Sequence, residues 1–272
     1  MFPELFHIGH LPVRAYGIAL ALSFLLGSLY VKRVVERDGK SFDPYLTIAT
    51  LMIFGGVVGA RLFYVLFHLE EFAGNWSAMI NPFHGDQFGI AGLNLYGGVL
   101  LAIGFTVFYC YRRNMSLLDT FDYFAPTLGI GLAVTRIGCF MNGCCFGLPT
   151  DLPWGVIFPA GSIPDSVFPG VHLHPTQLYS SLYGVLLFVL LNWMIKRKAF
   201  GGQLLAILFM AEATFRFAIE DIRYYESEMV LHVGGTTVTY NQIVSLGLFV
   251  AGIVIYVTQR KRLPRRIIGS RT

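Results

Sequence analysis

The chain has 272 residues, of which 55% are hydrophobic and only 13% are charged. A soluble domain of this length usually carries about 25% charged residues, which excludes a water-facing globule built on a large core. The formal net charge of +4 is concentrated in short clusters whose placement ties it to membrane topology, so it gives no support for nucleic-acid binding.

A bilayer core needs about 20 helical residues, and apolar runs of that order recur at roughly 15–31, 47–67, 93–111, 117–140, 177–195, 202–219 and 241–258. They predict an all-α polytopic membrane protein with seven transmembrane helices, in a single domain over 1–272. The first run opens Ala15-Tyr16-Gly17 without a basic leader or a small-residue cleavage site, and reads as an uncleaved anchor. Lys32, Arg33, Arg37 and Lys40 follow it. Arg112 and Arg113 follow the third run, Lys196, Arg197 and Lys198 the fifth, and the tail from Arg260 to Arg271 the seventh. These clusters hold 15 of the 20 Lys and Arg, all on one side. An excess of cations marks the cytoplasmic side, so the N-terminus is expected outside and the C-terminus in the cytoplasm.

The second run carries Gly55 and Gly59 at small-xxx-small spacing, a helix-packing pattern. Segments 68–90 and 147–176 lack Lys and Arg, as outside loops should. The latter is rich in Pro and Gly but too apolar for a flexible linker. Its Trp154, Phe158 and Phe168 suit a lid at the lipid–water interface. A second outside segment, 220–240, is expected to form a hairpin over Gly234-Gly235.

Five cations fall outside the clusters, and all are arginines: Arg14, Arg61, Arg136, Arg216 and Arg223. A charge at membrane depth costs at least about 2.5–3.5 kcal/mol, so it is normally paired, hydrated or functional. One such arginine, Arg14 for example, can simply snorkel to the headgroups. Several at similar depth, each with a planar fork that grips phosphate, point to an outer-leaflet pocket for an anionic lipid headgroup.

The densest candidate segment runs from Thr135-Arg136 through Asn142-Gly143-Cys144-Cys145 to Gly147, where a helix fraying into a loop would turn free backbone amides and a guanidinium on one phosphate. The bland alternative is a Gly-rich helix end with a snorkelling arginine. Arg216 and Glu220 share a helix face at i, i+4, and we expect Glu220 to orient an arginine that still reaches lipid. His174-Pro175-Thr176-Gln177-Leu178-Tyr179 enters the fifth run, with His174 a candidate base or part of a capped helix start. Tyr16 and Tyr96 lie at the outer ends of their runs, where tyrosines also serve as belt residues. Cys139, Cys144 and Cys145 cluster at the outer face, where a disulfide from Cys139 is permitted. Zinc binding with His172 or His174 is a weak reading, since C-x4-C-C is not a strong metal signature. No metal and no cofactor is expected.

Together, Ala15-Tyr16-Gly17, Gly59-Ala60-Arg61, Tyr96-Gly97-Gly98, Arg136-Ile137-Gly138 with Asn142-Gly143 and Gly147, His174 to Tyr179, and Phe215-Arg216-Phe217 with Glu220 resemble the bacterial prolipoprotein diacylglyceryl transferases. The resemblance implies a multi-pass enzyme of the bacterial cytoplasmic (inner) membrane. Its substrates are phosphatidylglycerol and the signal peptide of a prolipoprotein, whose lipobox cysteine thiol receives the diacylglyceryl group as glycerol phosphate leaves. It implies Arg136 and Arg216 on the leaving phosphate, Arg61 and Arg223 on the headgroup or a second lipid, and Asn142, Gly143 and Gly147 lining the pocket. Tyr16, Gln177, Tyr179 and Glu220 join them as substrate-binding residues. The chain departs from the family at three places. Tyr96 stands where many members have His, Cys139 where Asn is common and Cys144 where Glu is common. Tyr96 as tyrosinate or hydrogen-bond partner, His174 as the base, and arginine-bound phosphate without a dedicated base all remain open. So do a relative with another acceptor, a lipid or anion transporter, and a redox protein built on the cysteines.

Overall fold

The structure, a computed structural model, describes residues 4–8, 11–72, 79, 83–84, 87–88, 94–225, 230–233 and 236–262. Strands β1 (Glu4–Ile8) and β2 (Leu11–Arg14) pair ahead of helices α1 (Ala15–Arg37) and α2 (Asp43–Phe67). A 3-10 turn (Leu69–Phe72) and the two-residue strands β3 (Phe83–His84) and β4 (Gln87–Phe88) follow. Then come α3 (Leu95–Arg112), α4 (Leu117–Asn142), the short α5 (Ile163–Val167), α6 (Thr176–Ile195), α7 (Gln203–Glu220), strands β5 (Val230–Val233) and β6 (Thr236–Thr239), and α8 (Tyr240–Lys261).

The long helices coincide with the apolar runs of the sequence. Among the described residues, α1, α2, α4, α6 and α8 are long and apolar enough to cross a membrane. Helix α7 has 18 residues and carries Glu212, Arg216 and Glu220 among its apolar side chains. Leu25, Phe54, Leu100, Leu182 and Leu246 are exposed on helix surfaces, a distribution suited to lipid and costly in water. This is a multi-pass, helical membrane architecture. The expected 220–240 hairpin is present as antiparallel β5–β6, Val230 opposite Thr239 and Val233 opposite Thr236; its Gly234-Gly235 turn lies outside the described residues.

The chain divides into two compact units, one of Met1–Leu5, Arg14–Tyr30 and Phe121–Thr272, the other of Phe6–Val13 and Val31–Thr120. In the second, α2 and α3 meet through glycines. A Cβ on Gly55 would lie 2.9 Å from the Phe105 ring, one on Gly98 would lie 2.7 Å from the Gly56 carbonyl oxygen, and Gly59 and Gly97 face each other's carbonyls. Lipid offers no hydrophobic drive between helices, so this close backbone approach and its van der Waals contact hold the pair. Asn94 caps α3, its Oδ1 accepting from Tyr96 N at 3.0 Å and Gly97 N at 3.3 Å.

The first unit uses the same device between α4 and α6. A Cβ on Gly129 would lie 2.6 Å from Phe188 N, and one on Gly184 2.8 Å from the Gly129 carbonyl oxygen. Tyr183 of α6 stacks on Phe215 of α7 with ring centroids 3.9 Å apart. Asp122 of α4 has no exposed surface and acts as a remote N-terminal cap for α7. Its carboxylate accepts from Gly202 N at 2.8 Å, Leu205 N at 3.0 Å and Lys198 Nζ at 3.3 Å. The negative charge also sits at the positive end of the α7 dipole. Asp122→Ala leaves those amides without their acceptor, so we expect a loss of about 1–3 kcal/mol, read as a lower thermal midpoint in detergent. An unchanged midpoint would show that the cap contributes nothing.

Candidate headgroup and thiol site

The site begins where α4 ends. Gly143 has φ +76°; its N–H donates to Phe140 O at 3.3 Å, and Cys144 N–H donates to Cys139 O at 3.2 Å. This is a Schellman cap, in which a left-handed glycine turns the chain back over the last helical turn. The amides of Gly143 and Cys144 are therefore occupied, and so is that of Gly147, which donates to His174 O at 3.0 Å. The sequence expectation of freed amides converging on a phosphate does not hold at these three positions. Cys145 also adopts a left-handed conformation, φ +64°, which costs a non-glycine residue about 1–2 kcal/mol. The surroundings hold it there. Thr176 Oγ1 donates to Cys145 O at 2.7 Å and Gln177 Nε2 to Cys144 O at 2.8 Å, and both side chains come from residues that are almost fully buried.

Beyond Cys145 the chain enters a small irregular sheet. Gly147 bridges to Arg223, and Pro149 and Val156 each bridge to Leu173. A Cβ on Gly147 would lie 2.7 Å from Ile222 O and 2.8 Å from His174 O, so the position is closed to any side chain by backbone on both sides. Phe146, Phe158 and Leu173 are buried against Phe140, Val156, Phe168 and Tyr224. The 147–176 segment thus has a core of its own. Phe158 is 3% exposed and packs inward there, away from the interfacial position expected for it, because the ladder closes the segment over its aromatic residues. Trp154 is exposed, and its Nε1 donates to Tyr179 Oη at 2.7 Å. His174 Nδ1 lies 3.3 Å from the same hydroxyl.

Arg136 of α4 and Arg216 of α7 both act electrostatically on Glu212 of α7. Neither arginine has a hydrogen bond or ion pair with another described residue. The Oε2 atom of Glu212 and the Tyr183 hydroxyl are shielded from solvent without a hydrogen bond of good geometry among the described residues, and they lie within electrostatic range of each other. Arg136 also reaches Tyr16, which lies in turn within electrostatic range of Cys139, Cys144 and Cys145. Gly138 permits the approach of α1, since a Cβ there would lie 2.8 Å from Ala19 Cβ and 3.2 Å from Tyr16 Cα. Arg223 stacks over Tyr225 at 5.0 Å, and its Nε is buried without a partner among the described residues.

Glu220 does not orient Arg216. It is 5% exposed and accepts from Tyr225 Oη at 2.6 Å and Thr239 Oγ1 at 2.9 Å. Thr239 is also the N-cap of α8, in a capping box with Gln242. Glu220 therefore ties the end of α7 to the start of α8, and Arg216 is left to other anions.

The three thiols are free, Cys139 being buried and the other two half-buried, so no Cys139 disulfide is formed. The Arg223 and Arg136 guanidiniums lie within electrostatic range of Cys145. His172 lies apart from them in role, its Nδ1 3.1 Å from Gly155 O. Asn142, the last residue of α4, lies beside the Cys144 thiol.

Arg61 and Tyr96 belong to the other unit. Arg61 donates from Nε to Met79 O at 3.0 Å and lies 5.2 Å over the Phe72 ring and 5.7 Å over Tyr64. Tyr96 is half-exposed in the first turn of α3. The sequence reading overlooked Glu212. The available signal was an acid four residues before Arg216 in an otherwise apolar stretch, where any ionisable residue is a functional candidate.

A model of the family described as prolipoprotein diacylglyceryl transferase matches residues 3–258. The chain is similar to the phosphatidylglycerol–prolipoprotein diacylglyceryl transferase of Aliivibrio salmonicida (strain LFI1238), 32% identical over 264 residues, covering 96% of this chain and 88% of that protein. It is likewise similar to proteins of that name from Finegoldia magna (30% identical, covering 95% of this chain and 96% of that protein) and Vibrio cholerae (strain M66-2; 32% identical, covering 96% and 92%).

Burial, then the hydrogen bond to Glu220, pushes the Tyr225 hydroxyl up to about 12 against the pull of Arg223. A folded value above the unfolded value of about 10 means its contribution is complete below pH 10 and is lost as pH rises through 12. We expect stability to fall in that window and the fall to shrink in Tyr225→Phe. An identical alkaline profile for the two proteins would remove Tyr225 from the Glu220 tie.

Proposed function

The chain belongs to the prolipoprotein diacylglyceryl transferase family, and on that premise we propose that Arg136 and Arg216 form the clamp that binds and stabilises the leaving phosphate. The protein is a transferase that moves the diacylglyceryl group of phosphatidylglycerol to a prolipoprotein. The lipobox cysteine sulfur attacks the terminal glyceryl carbon, a C–S bond forms, the C–O bond to phosphate breaks, and glycerol phosphate leaves. The leaving group gains a negative charge in that step, so preorganised cations accelerate it.

One observation carries the clamp. Two guanidiniums from different helices lie within electrostatic range of one half-buried carboxylate, Glu212, whose Oε2 is shielded from solvent, while neither has a hydrogen bond or ion pair with another described residue. An unpaired charge in an apolar span is costly, and a phosphodiester arriving between the two would relieve that cost with planar, bidentate contacts. Glu212 partly neutralises the pair until a phosphate binds. Arg223 and Tyr16 extend the polar surface, with Asn142, Gln177 and Tyr179 shaping it through the loop after α4. Gly143 and Gly147 act by letting that loop close.

The acceptor thiol, with an ordinary pKa of about 8.5, must lose its proton to attack. His174, whose Nδ1 faces Tyr179, keeps its Nε2 for that role. Arg61 would hold a headgroup on its own unit. We place the protein in the bacterial inner membrane as one catalytic domain of seven spans, N-terminus outside, on the strength of the one-sided cation clusters.

Purified protein incubated with phosphatidylglycerol and a lipobox peptide should add a diacylglyceryl mass to the peptide cysteine. Arg136→Ala and Arg216→Ala should each lower the rate about 10²–10³-fold with the fold retained. Near-wild-type turnover in either variant would remove the clamp.

A further inference from the structure

The reaction alkylates a thiol, yet the clamp accounts only for the leaving group. Close to it stand three more thiols that the mechanism does not use. The Sγ atoms of Cys139, Cys144 and Cys145 all lie within 4.8 Å of one another. The C-x4-C-C spacing is weak as a metal signature, and the fold is what makes it one. The Schellman turn at Gly143 brings Cys144 back over Cys139, with Cys144 Sγ 3.7 Å from Cys139 O. The left-handed backbone of Cys145, φ +64°, then returns a third sulfur to the same point. Thr176 and Gln177 hold both carbonyls of that turn, so the arrangement is built from outside the segment as well as within it. Gln177 itself has no exposed surface, and its Oε1 has no hydrogen-bond partner among the described residues, which leaves a buried acceptor beside the thiol-bearing turn.

We propose that Cys139, Cys144 and Cys145 hold a single zinc ion whose fourth position receives the acceptor thiol of the prolipoprotein, an assignment that rests on the transferase reading for its fourth ligand. Zinc–sulfur bonds of about 2.3 Å in a tetrahedral site separate the sulfurs by about 3.8 Å, a small contraction from the arrangement observed. Thiolate ligands favour zinc or monovalent copper over the hard cations. Three protein ligands with a fourth position open are the pattern of a catalytic zinc, whereas a closed set of four marks a structural one. Three thiolates around a divalent cation carry one net negative charge, and a fourth thiolate makes it two. Arg136 and Arg223, both within electrostatic range of Cys145, balance that charge.

On binding, the acceptor thiol gives up its proton, which His174 Nε2 can take and pass to solvent, and remains as a thiolate at neutral pH, as coordination by a metal allows. Its sulfur then donates an electron pair to the terminal glyceryl carbon. The C–O bond breaks, the phosphate keeps that electron pair, and the neutral thioether, a poor ligand, departs. The metal does not change oxidation state. This supplies the proton-loss step that the phosphate clamp by itself does not provide.

The full-length protein, purified without a histidine tag and under reducing conditions, should contain close to one zinc per chain by mass spectrometry of the metal. Cys139→Ser, Cys144→Ser and Cys145→Ser should each lower that content at least tenfold. Replacement of zinc by cobalt should give sulfur-to-cobalt charge-transfer absorption. The cobalt ligand-field bands should shift on adding a lipobox peptide and stay unchanged with the Cys→Ser peptide. Trace zinc without cobalt charge transfer, or a disulfide among the three cysteines on alkylation of the untreated protein, would overturn the site. Zinc-free wild-type protein, stripped by chelator with its thermal midpoint retained, that transfers at the zinc-loaded rate would overturn its role in activation. Failure of the transferase reading would look different, as zinc-loaded, folded protein that adds no mass to the peptide.

Discussion

Everything in the proposed site depends on how α4 ends. A helix that stops inside an apolar medium leaves carbonyls with no water to satisfy them, and each unsatisfied group costs several kcal/mol. Here the Schellman turn satisfies Phe140 and Cys139. Thr176 and Gln177 reach across from the first turn of α6 to take the carbonyls of Cys145 and Cys144. The start of one helix thereby completes the end of another. The same turn, about two helical turns beyond Arg136, gathers the three sulfurs. The turn that caps the helix also carries the thiols, so a change made to probe one will disturb the other unless it preserves the turn.

A second tie works by the same logic at the other end of the pocket. Glu220 looks from its spacing like a partner for Arg216, and an ion pair there would have neutralised the charge most simply. Two neutral donors, Tyr225 and Thr239, hold the carboxylate instead. Thr239 caps α8 while doing so, and the carboxylate lies where that helix dipole favours negative charge. Keeping Glu220 occupied leaves Arg216 available, which is the condition a phosphate clamp needs. Burial of a polar network is tolerable only when its members are satisfied, and Glu220 meets that condition where Glu212 and Arg223 do not.

Local features proved legible in the sequence. The apolar runs located the long helices, because a membrane span must be long, apolar and helical. The alternating residues on either side of Gly234-Gly235 located the β5–β6 hairpin. Gly55 and Gly59 marked helix packing, and their contacts with α3 are of that kind. What escaped depends on contacts distant in the chain. The partners of Glu220 lie five and nineteen residues away, across a loop whose path no periodicity reveals. Gly147 read as pocket lining, yet it is glycine because backbone from His174 and Ile222 closes on it from both sides. Phe158 and Phe168 read as interfacial anchors, and the ladder between Val156 and Leu173 encloses them in a small core.

Glu212 shows why depth matters more than identity in such a chain. In a soluble helix an acid four residues ahead of an arginine is an ordinary surface pair worth a few tenths of a kcal/mol. Within an apolar span the same two residues are an expensive arrangement that persists only if something offsets it. Here one carboxylate oxygen has no well-formed hydrogen bond among the described residues, and the group lies within range of Tyr183 and of arginines from two helices. Two cations and one anion within range of one another carry net positive charge at half-buried positions, where solvent screens it less than at the surface. The ligand that best resolves that imbalance is a monoanion with several oxygens, and a phosphodiester is one. As the C–O bond breaks, the anion gains charge and its attraction to the clamp grows, so the binding becomes stronger along the reaction coordinate, which is the requirement for catalysis.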